Sequence, residues 1–511
     1  MNRNSAAAMG IPLLVFLVLL LPMRDGFTDD GYIHIQYAKN IVTRGEYSFN
    51  PGELSFGTTS PLWVMIQAAF GSVLGTGEVL VGTSRVVSWL SGFLTVIGMF
   101  VLAKTLGLRR WTAWLCALVF ASHVWFVRWT ALGMETSTAV LAVVGVGIMS
   151  VHAFEDRRSA WLLGFAMAVA ALLRPEAYLI VPVYVVAFAL NRVVSRRGDM
   201  SNLLGTLLVY ALLIVPWLVF AKFHIGSFVP NTAGAKSGGV VVDPVLFVKK
   251  FVPIVKIVGV SEGIPLLIAL SSIVFFGRRA RVISAGHRFL LLWAVALPVA
   301  YVFFDIQVLS RYMLLTSPFT IVLGFSALEQ WIERVGRAED VQAQQRWVPA
   351  IVAVVMLTVN VVFYAIVVVP PSRAFSYDLT HNLKDLALRI KHMSAPGAVV
   401  AAADIGYLAL YSDRWVLDLG GLVDNETHRL REEYTYETIV DEGLYLDLPK
   451  YPTVNYFIDR NLEADRFDGE TMKGYRFEKV FITEVRNLGI RKPGPYYYTL
   501  YRLTRVEHDE N

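Results

Sequence analysis

The sequence predicts an α-helical polytopic membrane domain of about eleven spans, followed by a C-terminal α/β domain outside the bilayer. Three observations lead there. Of 511 residues, 55% are apolar and only 17% are charged, with a mean hydropathy of +0.52. A soluble domain averages about 45–50% and about 25% respectively. Between Gly10 and Pro370 the chain returns again and again to an apolar stretch long enough to cross a bilayer. Charge then divides the chain in two. The first 370 residues carry 28 Lys and Arg against 18 Asp and Glu, whereas the last 141 carry 18 against 23. Soluble, secreted, fibrous and disordered classes are excluded.

A spanning helix needs about 20 apolar residues. That length places spans near 8–23, 87–105, 112–127, 136–153, 159–173, 177–191, 203–222, 263–277, 289–304, 313–328 and 348–369. Loop charge orients them. Arg109 with Arg110, Arg157 with Arg158, Arg192 with Arg196 and Arg197, and the run Arg278, Arg279, Arg281 and Arg288 fall in alternate loops, and 329–346 continues the series. Positive loops face the cytoplasm, so the amino terminus lies inside and the tail outside. The same rule accounts for a sequence pI near 9 without a nucleic-acid partner. The start of the chain, with Arg3 and an apolar core, resembles a signal peptide but lacks an A-x-A site, and reads as an uncleaved first helix. A single cysteine, Cys116, rules out an internal disulfide or a cysteine metal cluster.

The domains are therefore a membrane domain, 1–370, containing a first outer loop at 24–86, and an extracytoplasmic domain, 371–511. In the loop, Ile33, Tyr37 and Ile41 recur every four residues, a helical stripe with Lys39 and Asn40 opposite. After the Pro51-Gly52 turn, Ser60 and Pro61 supply an N-cap and a first helical position for a second helix over 62–74. Both helices are expected to lie along the interface. In the tail, 399–403, 415–417, 455–458 and 496–501 read as short strands and 378–392 as an amphipathic helix. About 140 residues suffice for a separate core.

The adjacent carboxylates Asp29 and Asp30 stand first among the candidate site residues. A carboxylate beside a bilayer is partly desolvated and gains basicity, as a general base requires. The plain alternative is that Thr28 caps the helix and the acids complement its dipole. Tyr32, His34, Tyr37, Thr58 and Thr59 share the loop and are candidate substrate contacts. Arg174, Lys236 and Arg311 sit at apolar boundaries on the same outer face, where a cation is costly and marks a site. Each could grip a phosphate, Arg as a fork and Lys as a point charge. Arg174 could equally pair with Glu176, and Arg128 reads as snorkelling to the interface. Glu135, Glu176 and Asn231 complete the candidates. The nine histidines show no metal-ligand spacing, so no metal and no cofactor is called for, although a divalent cation stays open. There is no G-x-G-x-x-G or Walker loop, no internal repeat and no low-complexity segment.

Thr28-Asp29-Asp30-x-Tyr32, Tyr37-Ala38-x-Asn40, Phe49-Asn50-Pro51-Gly52-Glu53 and Thr59-Ser60-Pro61-Leu62-Trp63 resemble the first outer loop of the GT-C superfamily of membrane glycosyltransferases. The resemblance is nearest the mycobacterial-type terminal arabinofuranosyltransferases. Protein mannosyltransferases, which carry Asp-Glu where this chain has Asp29-Asp30, and lipid A aminoarabinose transferases are more distant. Gly133-Met134-Glu135-Thr136, Leu173-Arg174-Pro175-Glu176, Pro230-Asn231-Thr232 with Lys236, and Asp418-Leu419-Gly420-Gly421-Leu422 are similar to motifs of the same branch. The resemblance implies an acidic first-loop residue as base, here Asp29 supported by Asp30. It also implies an inverting enzyme that moves a sugar, arabinofuranose in the nearest branch, from a polyprenyl-phosphate donor to a glycan, lipid or protein hydroxyl. A bacterial inner membrane and cell-envelope glycan assembly follow from the same likeness. The rival classes are a transporter or flippase of a lipid-linked saccharide and a non-catalytic glycan-binding subunit.

Overall fold

In the computed structural model the described residues are 3–195, 198–228, 239–241, 243–276, 285–335, 341–490 and 493–506. The basic loop residues Arg196, Arg197, Arg278, Arg279 and Arg281 lie outside them. The chain divides into two compact units. A span unit comprises Met1–Arg24, Val86–Trp217 and Ser237–Val368; a sheet unit comprises Asp25–Arg85, Leu218–Lys236 and Val369–Asn511. The first outer loop is thus grouped with the tail.

Among the described residues, six helices are long and apolar enough to cross a membrane: Glu78–Thr105, Pro175–Val194, Met200–Ile225, Pro244–Ser272, Ala285–Phe303 and Val341–Met393. Arg110–Ala121 and Val124–Ala131, bent by 54°, make a seventh if taken as one broken span. Met9–Met23 and Thr136–Ser150 are apolar but shorter, as is the 17-residue helix Arg157–Leu173. The sequence count of eleven includes these shorter helices.

Two of the expected spans differ in shape, for a local reason in each case. The span expected over 112–127 breaks at His123, whose Nδ1 accepts from the amide of Phe126 at 3.3 Å. The amide of Val124 meanwhile donates to Asn360 Oδ1 at 2.9 Å. Side chains thus take over backbone partners at the break, as bilayer burial demands. The helix of the span expected over 263–277 starts earlier, at Pro244, and Glu262 (φ −147°, ψ 17°) leaves helical geometry inside it before the helix continues.

The sheet unit holds a six-stranded sheet in the order β2-β1-β3-β6-β5-β4. Its strands are β1 (Val399–Ala402), β2 (Trp415–Asp418), β3 (Tyr456–Asn461), β4 (Thr471–Met472), β5 (Tyr475–Asn487) and β6 (Pro493–Arg505). β1 runs parallel to β2 and β3, and the other pairings are antiparallel. Phe457 on β3 centres an aromatic core with Tyr445, Phe467, Phe477 and Tyr501, all buried. Within the same unit lie the first-loop helices Asp29–Arg44 and Pro61–Leu74. Pro61 opens the second helix, as its missing N–H and fixed φ favour.

The motif residues of the first loop are what seat it against the sheet. Asn50 acts as a strand fragment: its Nδ2 donates to the Val416 carbonyl at 2.9 Å, and its Oδ1 accepts from the Val416 amide at 3.0 Å. Glu53 pairs with Lys450, which also reaches Asp424 at 2.7 Å. Asp418 accepts from the amides of Gly420, Leu422 and Val423, closing a tight turn. That turn lies against Gly57, where a Cβ would come within 2.3 Å of Val423 Cγ1. The Asp418 motif is a turn that receives the first loop.

Candidate functional site

Helix Asp29–Arg44 begins after Thr28, which sits at the N-cap position with extended backbone (φ −137°, ψ 153°) but makes no side-chain cap bond. Asp29 instead reaches across the unit to the seven-residue helix Gly406–Ser412. Its Oδ2 accepts from the amide of Gly406 at 3.1 Å and its Oδ1 from that of Tyr407 at 2.9 Å. The approach needs glycine at 406, because a Cβ there would lie 2.2 Å from the Asp29 carbonyl oxygen. Asp29 is half-buried. Burial above all, then the neighbouring charges of Asp404 and Asp30, push its carboxyl up to about 7, against the pull of the two amides. A carboxyl in that range is matched to taking a proton near neutral pH. Asp30, on the same turn, is also half-buried.

The other first-loop candidates divide by what they touch. Tyr32 is buried, its ring 4.6 Å from Phe27 and 5.5 Å from Tyr411. Burial pushes its hydroxyl up to about 12. His34 Nδ1 lies 2.7 Å from Thr58 Oγ1, and both residues are buried. Thr59 is half-buried. The Tyr37 hydroxyl is 2.6 Å from Ser55 Oγ and accepts from the Gly57 amide at 3.0 Å. Gln36 and Asn40 donate to the Phe49 carbonyl at 3.1 and 2.9 Å. These bonds tie the helix to its returning loop and fix where Asp29 and Asp30 begin.

In the span unit a second cluster forms. Arg174 donates from Nη1 to Glu135 at 2.8 Å, and from Nε and Nη2 to the two oxygens of Glu176 at 3.0 and 2.6 Å. Its guanidinium lies 4.9 Å from the Tyr312 ring centre. Arg311 faces Tyr312 at 5.5 Å and Trp129 at 5.1 Å, and Arg128 covers Trp129 at 4.5 Å. Cations over aromatic faces are held in place without losing their charge. Glu135, Arg174 and Glu176 therefore form one ion-paired group, and Arg311 shares the Tyr312 ring with Arg174. Asn231 and Lys236 lie outside the described residues. Among the described residues no three His, Cys, Asp or Glu side chains are placed to hold a metal ion.

Residues 376–501 match a family described as a domain of unknown function (DUF8728). No curated protein matches the chain. Solved structures do. The apo oligosaccharyltransferase of Archaeoglobus fulgidus superposes with a TM-score of 0.63 at 13% identity, over 91% of this chain and 70% of that one. ArnT from Cupriavidus metallidurans, in the apo state, covers 97% of both chains at 16% identity with a TM-score of 0.58. Its form bound to undecaprenyl phosphate gives 0.53 at 15% identity, again over 97% of both. The chain shares its fold with these two proteins. With six long apolar helices among the described residues, the chain is membrane-embedded.

Sequence reasoning found Asp29 but not what surrounds it. Asp404, Gly406 and Tyr407 lie some 375 positions away in the tail, in a stretch with no motif of its own. It also passed over His123 and Glu262, both buried, whose Nε2 and Oε2 stand 3.9 Å apart in the span unit. A carboxylate within an apolar span was the available signal.

Proposed function

We propose that this chain is an inverting glycosyltransferase that moves a sugar from a polyprenyl-phosphate donor to an acceptor hydroxyl. The observation that carries the reading is Asp29: an amide-anchored carboxyl, titrating near neutrality, on a GT-C fold. Asp29, supported by Asp30, takes the proton of the acceptor hydroxyl. The freed oxygen attacks the anomeric carbon, the bond to the lipid phosphate breaks, and configuration inverts in one displacement. The departing phosphate takes the bonding electrons and needs cations. Arg311, backed by two aromatic faces, is the first grip; Arg174 joins by releasing one of its two carboxylates, and Lys236 adds a point charge. Tyr32, His34, Thr58, Thr59, Glu135, Glu176 and Asn231 bound the substrates, while Tyr37 holds the loop.

An arabinofuranose donor, an outward-facing 371–511 domain and a bacterial inner membrane are the finer parts of the same proposal. They rest on the first-loop motif and the alternation of arginine-rich loops. The test is transfer from radiolabelled polyprenyl-phosphate sugars by the full chain in vesicles. Asp29→Asn should lower transfer at least about 100-fold at normal expression; full activity in that variant would remove the reading.

A second reading, translocation of a lipid-linked saccharide, draws on His123 and Glu262 at two helix breaks among the spans. Flipping of a fluorescent lipid-linked sugar in vesicles, abolished by Glu262→Gln while Asp29→Asn leaves it intact, would favour it over transfer.

A further inference from the structure

Asp404 lies in the link between β1 and helix Gly406–Ser412, two residues before the first amide that holds Asp29. It is tied from two sides. Arg460 Nη1, from β3, donates to both of its oxygens at 2.8 Å, and the Tyr498 hydroxyl, from β6, donates to Oδ2 at 2.5 Å. One short stretch of the tail thus brings two opposed influences to Asp29. The amides of Gly406 and Tyr407 favour its charged form, and the fixed negative charge of Asp404 opposes it. Asp404 and Arg460 keep about a quarter of their side-chain surface exposed. The other ionisable groups facing Asp29 in this unit are Asp30 on its own turn, Tyr32 one turn on, and the buried phenol of Tyr407.

We propose that Asp404, clamped by Arg460 and Tyr498, is a positioning residue that sets the charge state of Asp29, and that holding and tuning this carboxylate is the task of the tail domain in this chain. The inference rests on Asp29 being the base. All five residues of the device (Asp404, Gly406, Tyr407, Arg460 and Tyr498) fall inside the 376–501 match of unknown function. The hydrogen bonds of Asp404 go to a cation and a phenol, and Asp29 is among the neighbours its charge acts on. The direction of its influence also agrees with the shift of Asp29 toward neutrality.

The experiment is the pH dependence of transfer by the full-length protein in vesicles, for wild type, Asp404→Asn, Asp404→Glu and Arg460→Gln. Removing the charge at 404 should move the acid limb to lower pH by roughly one unit, up to about tenfold in relative rate below it. Removing the charge at 460 leaves Asp404 uncompensated and should move the limb the other way, and Asp404→Glu should stay near wild type. Variants that lose rate with an unmoved limb, or that shift in the same direction, overturn the proposal and reduce the pair to scaffolding. A readout independent of activity is the pH above which the difference in melting temperature between the chain and its Asp29→Asn variant ceases to change, measured with Asp404 intact and with Asp404→Asn. If wild type transfers no sugar, the glycosyltransferase reading fails. The melting midpoint then decides the inference alone: movement to lower pH in the Asp404→Asn background supports it, and a fixed midpoint overturns it.

Discussion

The loop around Asp29 and the loop around Asp418 solve the same electrostatic problem to different ends. Both aspartates belong to the sheet unit, and both point their oxygens at backbone amides. Asp418 is fully enclosed and accepts three amides from the next five residues, closing the turn that receives the first loop. Asp29 is half-buried, accepts two amides from a segment 377 and 378 positions away, and has two further carboxylates beside it. Amide bonds to a carboxylate therefore do not distinguish anchoring from chemistry. What distinguishes them is surface access and the reach of the bonds, local for Asp418 and across the unit for Asp29.

The largest expected effect tests this split directly. Asp418→Ala leaves three amides without their acceptor, a loss of roughly 3–9 kcal/mol at about 1–3 kcal/mol for each unsatisfied group. Thermal melting of the purified chain should fall steeply, with activity lost only as folded protein is lost. Asp29→Asn should do the reverse, removing transfer while melting changes little. If both variants fail in the same way, the contrast between the two loops is void.

Two glycines sharpen it at a smaller scale. Gly57→Ala would drive a methyl into Val423 and the Leu422 carbonyl, and overpacking of this kind costs about 1–3 kcal/mol. Gly406→Ala would press on the Asp29 backbone and on Oδ1, where a Cβ would lie 2.9 Å away. The first should lower the melting temperature and leave the rate per folded molecule unchanged. The second should lower the rate more than the melting temperature, because it displaces the carboxylate itself. Asn50→Ala, which deletes the paired bonds to Val416, belongs with the first and should cost about 2 kcal/mol.

What could be read from the chain follows from how local each signal is. The helix over Asp29–Arg44, the Pro61 start and four of the six strands are written in contiguous periodicity or in a single residue type, and all are present; of the expected spans, six are long apolar helices among the described residues. β5 escapes that reading because register shifts at Lys479/Phe481 and Val485/Asn487 break its alternation, so no period of two survives along it. The break at His123 depends on Asn360, distant in sequence, and the sequence of 112–127 alone reads as one span. In the site, Asp29 was legible because two acids at the end of an apolar run are rare. Its partners were not, since backbone amides carry no residue signature and Asp404 looks like any tail acid. Arg174 illustrates the opposite case. Glu176, two positions on, was visible as its partner, but Glu135 becomes one only through folding.

The smallest effect separates the two aspartates by pH. Both carboxyls are raised from 3.8, Asp29 to about 7 and Asp418 to about 6, chiefly by burial. A raised acid holds its proton more tightly folded than unfolded. Its contribution is therefore fully present below the unfolded value, shrinks as pH climbs, and is gone above the folded one. Asp418 completes its change by about pH 6, which leaves the interval from about 6 to about 7 to Asp29. Wild type should accordingly lose melting temperature across that interval more than Asp29→Asn does, and the two curves should run parallel above it. Parallel curves throughout would mean that Asp29 titrates with Asp418 or below it, and the amide pull would then offset more of burial and Asp404 than a value near 7 allows.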